Sequence, residues 1–103
     1  MVMRISKAHS LEPLITLTSV GDKLFDSTVP LLYDRHDGEA LAEARACHDA
    51  LLREGREHGF FPYRVNLDAM GTISEWQNES KVFHARLKKI IDPDGLIAPG
   101  RYE

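Results

Sequence analysis

A chain of 103 residues, 43% apolar and 28% charged, has the balance of a soluble globular protein and the length for one domain with a modest core. Its net charge of −3 excludes the basic signature of a nucleic-acid binder, and no apolar run approaches the roughly 20 residues of a membrane span. One cysteine, Cys47, excludes an intramolecular disulfide and a cysteine-rich metal centre, and it suits a reducing, cytoplasmic setting.

In chain order, residues 1–12 show no periodicity, are too polar for a signal peptide, and read as a partly disordered N-terminal extension. "PLITLTSV" (13–20) is β-branched and predicts a strand, and "GDKLFDS" supplies a turn. "TVPLLYD" (28–34) predicts a second strand, edge-placed or bulged because Pro30 has no N–H to give to a ladder. The next run is the clearest helix. Asp37 is its N-cap, Glu39 lies in its first turn, and Gly59 is its C-terminal stop. Leu41, Ala44, His48, Leu51, Leu52 and Gly55 form its apolar stripe.

"FFPYRVNL" (60–67) reads as a third strand, and "DAMGTISEWQN" as a helical turn plus loop. "ESKVFHARLKKIID" predicts a second helix that buries Val82, Phe83, Leu87, Ile90 and Ile91. Lys88 and Lys89 suit its C-terminal dipole, and Asp92-Pro93 ends it. The tail then turns at "PDG" and runs through Leu96–Ala98 to a Pro99-Gly100 bend that aims Arg101.

The expected fold is therefore α+β: a small, mainly antiparallel sheet (β-β-α-β-α) with helices on one face. The division is an extension (1–12), a partial α+β domain (13–92) and a tail (93–103). A sheet of three strands leaves unpaired edges, which predicts a homo-oligomer or a partner chain.

The residues alone offer little chemistry. His9, His36, His48, His58 and His84 fall at no metal-ligand spacing and read as surface or rim histidines. Cys47 and His48 are helix neighbours that point about 100° apart, so they form no catalytic pair. No P-loop, GxGxxG or GxSxG is present. Tyr63 and Arg64 are a natural anion-binding pair, a phenolic donor beside a permanent cation, although on a strand they would take opposite faces. Trp76 reads as a core or interface aromatic.

"VPLLYDRHD", "ACHDALLREGREHG", "PYRVNL" and "IDPDGLIAPGRY", in this order and spacing, resemble the C-terminal portion of the vanillyl-alcohol oxidase / 4-cresol dehydrogenase family of FAD-linked oxidases. The likeness runs from about Glu12 to Tyr102. The resemblance implies the C-terminal half of that family's cap domain plus its flavin-approaching tail. It implies catalytic roles for Tyr63 and Arg64 at the phenolic oxygen of a para-substituted phenol, and for Arg101 a cofactor-binding role beside the flavin ring. Hydride transfer to FAD is the implied reaction. Nothing in the chain matches the family's FAD-binding domain, so the reading is a fragment or subunit, inactive alone and needing an FAD-binding partner. The alternative is a stand-alone α+β module that dimerises or binds small anions without flavin.

Overall fold

The computed structural model describes residues 1–76 and 78–99. Gly100 and Arg101 lie outside them. The chain divides into two compact units, Met1–Phe61 and Pro62–Glu103.

In the first unit, α1 spans Val2–Ala8, β1 Thr16–Ser19, β2 Phe25–Thr28 and α2 Gly38–Glu57. A seven-residue helix is not stable by propensity alone, so α1 depends on what it packs against. Its Ile5 and Ser6 are buried, as are Ala44, Cys47 and Gly55 of α2. The pairings Arg4–Glu54 and His9–Glu43 run in opposite order along the two helices, so α1 and α2 are antiparallel. The segment read as a partly disordered extension thus carries a packed helix. Small residues at three- and four-residue spacing on α2 let the two backbones approach.

The ends of α2 are as expected. The Asp37 carboxylate accepts from the amides of Glu39 (2.9 Å) and Ala40 (3.2 Å). At the other end Gly59 has φ +79°, its N–H bonds to Arg56 O (3.0 Å), and the Phe60 N–H bonds to Gly55 O (2.8 Å). This is a Schellman closure, and glycine is what the left-handed position requires. A Cβ on Gly55 would stand 3.4 Å from Phe60 O, so the same closure also crowds that position.

The sheet is smaller than expected. β1 and β2 form a two-stranded antiparallel hairpin, paired from Thr16↔Thr28 to Ser19↔Phe25. The turn is closed by the Val20 N–H on Leu24 O (2.8 Å), with Gly21 at φ +85°. The second strand therefore begins at Phe25, not Thr28, and ends before Pro30, which cannot donate to the ladder. Neither α1 nor α2 packs on the hairpin, so the expected helix layer over a sheet face is absent from this unit.

In the second unit the expected third strand is an irregular connector, and α3 (Leu67–Trp76) and α4 (Asn78–Ile91) follow. Pro62 removes a donor, and the Asn66 side chain caps α3 by accepting from the Ala69 amide (2.9 Å). Capping turns the expected loop into a ten-residue helix. The class remains α+β, in the order α-β-β-α-α-α. Ala69 and Met70 are buried on α3. The α4 stripe is not buried: its members range from 42% exposed at Leu87 to 78% at Ile90.

Two outcomes are expected. Asp37→Ala lowers stability by about 1 kcal/mol in thermal unfolding, and Asp37→Ser restores most of the loss. The thiol of Cys47 is completely buried, and burial raises its pKa, moderated by the Ser6 hydroxyl beside it. That hydroxyl has no conventional hydrogen-bond partner, so its contact with the sulfur is a weak one. Cys47 accordingly stays unreactive toward a thiol reagent in the native protein and reacts at once in denaturant.

Candidate functional site

The connector before α3 carries Tyr63 and Arg64. Two bends at these positions replace the strand geometry that would have sent the side chains to opposite faces. The Arg64 guanidinium carbon lies 5.6 Å from the centroid of the Tyr63 ring, within cation–π range. Both residues line one concavity of about 490 Å³. Small-molecule sites run from roughly 300 to 1,000 Å³, and this volume falls within that range.

The wall has two characters. Val65, Leu67, Met70 and Ile73 supply apolar surface from the connector and α3. Lys81 and His84 enter from α4, three residues apart and hence on one helix face. No Asp or Glu among the described residues lines it. Sequence reasoning found Tyr63 and Arg64, and left His84 among the surface histidines. Lys81 was not singled out. The only signal for this pair was its spacing on the polar side of a helix.

A second concavity, about 450 Å³, lies between the last turns of α4 and the tail and is lined by His84, Leu87, Lys88, Ile91, Asp92 and Ile97. Beside it, Asp92 ties the tail down. Its carboxylate accepts from the amides of Leu96 (2.8 Å) and Ile97 (2.9 Å) and from Lys88 Nζ (2.8 Å). Lys88 Nζ also donates to the Ile97 carbonyl. The Gly95 N–H bonds to Asp92 O (3.2 Å), with Gly95 at φ +66°. Ala98 follows at φ +45°, a left-handed conformation rare for a residue with a Cβ. The tail therefore leaves α4 along a set path. Arg101, where that path was expected to lead, lies outside the described residues.

The hydrogen bond from Lys88, then those from the Ile97 and Leu96 amides, hold the Asp92 carboxyl below the usual carboxylate range despite its desolvation. At the first unit, the hydrogen bond from Arg4 lowers the Glu54 pKa in the same way. Among the described residues no three His, Cys, Asp or Glu side chains converge as a metal site, and no helix is long and apolar enough to cross a membrane.

The fold is a small α+β unit, and its concavity is lined by a phenol and two cationic side chains, Tyr63, Arg64 and Lys81. Comparison with known proteins gives that unit a family context. The chain is 35% identical over 75 residues to the 4-cresol dehydrogenase [hydroxylating] flavoprotein subunit of Pseudomonas putida, covering 71% of this chain and 14% of that protein. It is 29% identical over 96 residues to the 1'-carboxy-chondrochloren decarboxylase of Chondromyces crocatus, covering 93% of this chain and 18% of that protein. The chain is thus a partial homologue of the flavoprotein oxidoreductase family represented by 4-cresol dehydrogenase, which bears out the resemblance carried by its motifs. It spans less than a fifth of the length of either curated relative. No family model matches the chain, and no solved structure matches it significantly.

The described residues do not fit FAD. Among them no glycine-rich strand-to-helix turn cradles a pyrophosphate.

A depressed carboxyl stabilises the form in which it is charged. The Asp92 tie is therefore fully present above about pH 3.9, the ordinary aspartate value, and is lost as pH falls through its lower folded-state pKa. Hydrogen exchange at the Leu96 and Ile97 amides reads this directly. Asp92→Asn removes the charge-assisted contacts, and exchange at both amides is expected to rise about tenfold or more at neutral pH.

Proposed function

We propose that this chain supplies the substrate-side, C-terminal part of an FAD-dependent oxidoreductase acting on para-substituted phenols, with FAD held by further protein or by a partner chain. The observation that carries the reading is the convergence of Tyr63 and Arg64 on one concavity in a chain 35% identical to a 4-cresol dehydrogenase flavoprotein subunit. The Pseudomonas relative is by name a dehydrogenase of 4-cresol, and the Chondromyces relative a decarboxylase of a carboxylated compound.

The roles of this chain's residues follow from their chemistry. Tyr63 donates a hydrogen bond to the phenolic oxygen. Arg64, which stays charged at any working pH, holds that oxygen as phenolate and pre-disposes the ring to release electrons at its para carbon. The apolar wall orients the ring and excludes water from one side of it. The flavin, when supplied, is the hydride acceptor for this class of reaction. By the family resemblance, Arg101 takes the role of a cation beside that cofactor. Alone, in a reducing cytoplasm that keeps Cys47 free, the chain lacks the acceptor and is inactive.

The exposed apolar stripe of α4 supports packing against the flavin-bearing remainder, since relatives are more than five times longer. A homo-oligomer is the competing occupant of that surface. A stand-alone anion-binding module is the second functional reading, favoured by the cationic wall.

The test is a titration of the purified chain with 4-hydroxybenzyl alcohol, followed by NMR. Binding is expected, with amide shifts confined to residues 62–84. Tyr63→Phe and Arg64→Met each weaken it by about tenfold or more, because hydrogen bonds to charged groups are worth about 1.5–3 kcal/mol. Unchanged affinity in both variants would remove the assignment. On size-exclusion chromatography with added FAD, the chain should elute colourless.

A further inference from the structure

We infer that Lys81 and His84 of α4 form a carboxylate-binding end of the Tyr63–Arg64 concavity, so that its preferred ligand is an aromatic acid and not a neutral phenol. The inference rests on the reading of Tyr63 and Arg64 as the phenol-binding end and adds a second recognition element, from a different helix.

Three observations lead to it. The first is the charge of the wall. The chain carries a net charge of −3, yet Arg64, Lys81 and His84 meet at one concavity with no Asp or Glu beside them among the described residues. A neutral phenol needs one stabilising pair at its oxygen, and Tyr63 with Arg64 supplies it. Lys81 and His84 are surplus to that need.

The second is the availability of these two groups. Two turns further along α4, Lys88 is occupied by Asp92 and the Ile97 carbonyl. Lys81 has no carboxylate partner among the described residues, and the recorded neighbour of His84 is the Phe83 ring, with centroids 6.0 Å apart. Both therefore remain free to donate to a ligand. Lys offers a compact charge with three donors, and His an N–H in either tautomer.

The third is the rest of the lining. Val65, Leu67, Met70 and Ile73 are apolar, and the Asn66 side-chain oxygen is already used on the Ala69 amide. Apolar surface in the same concavity as these polar groups matches an aromatic ring bearing oxygen functions. Helix geometry places Lys81 and His84 on one face, so they can act on a single carboxylate.

The experiment uses the whole chain and three probes, 4-hydroxybenzoate, 4-cresol and benzoate, titrated by calorimetry. Wild-type protein is expected to bind 4-hydroxybenzoate about tenfold or more tightly than 4-cresol, the margin of one charge-assisted contact. Lys81→Met and His84→Gln should each erase most of that margin, read as the ratio of 4-hydroxybenzoate to 4-cresol affinity in the same variant. Lys81→Arg should keep it. Both positions are exposed, so the variants fold, and matching thermal melts verify this. Equal affinity of wild type for 4-hydroxybenzoate and 4-cresol overturns the inference and leaves the phenol reading standing. So does a margin that survives both substitutions. Binding of benzoate that depends on Lys81, with none of 4-cresol, supports the carboxylate end and removes the phenol reading. Silence with all three probes removes both.

Discussion

Asp92 accepts from two backbone amides and one ammonium group, and the path of the chain from α4 to Ile97 follows from that arrangement. A helix leaves its last carbonyls without intrahelical partners, and the residues beyond it leave amides that must bond to something. Here a single buried carboxylate collects the amides of Leu96 and Ile97, while Lys88 bridges carboxylate and carbonyl. The same constraint acts at Asp37 and Asn66, where a short polar side chain starts each helix. Among the described residues the buried apolar set is small: Ile5, Ala44, Cys47, Ala69 and Met70. With so little burial, the polar closures at helix ends decide where each element begins and stops.

The site depends on one of these closures. Asn66 caps α3 two residues after Arg64, which prevents the strand that the β-branched and aromatic composition of 60–67 favours. The chain bends at Tyr63 and Arg64, and two side chains that a strand would separate line the same concavity. Chemistry at this site thus begins with a competition between β-propensity and a side-chain cap. Pro62 tips it, because a strand there would lack a donor.

The exposed stripe on α4 follows from a different limit. Periodicity identifies which face of a helix is apolar, but it cannot say what covers that face. Val82, Phe83, Ile90 and Ile91 recur at helical spacing, and the helix forms where expected. Within this chain the face stays open. The hairpin shows the same limit: its strands pair, yet neither α1 nor α2 lies across it.

By itself the sequence determined the features that rest on local chemistry. Asp37 as a cap, Gly59 as a left-handed stop, the span of α2, the helical stretch of α4 and the turn after Asp92 each follow from two or three adjacent residues. The family likeness, with Tyr63 and Arg64 as its most specific residues, was equally legible because short motifs hold it. Only the tertiary structure decided the rest. It placed a helix at residues 2–8, where a seven-residue segment is stable only against α2. It replaced the third strand with a bend, because pairing requires a neighbouring strand that local composition cannot supply. It brought Lys81 and His84 of α4 to the same concavity as Arg64 of the connector before α3, a meeting that has no signature in linear spacing.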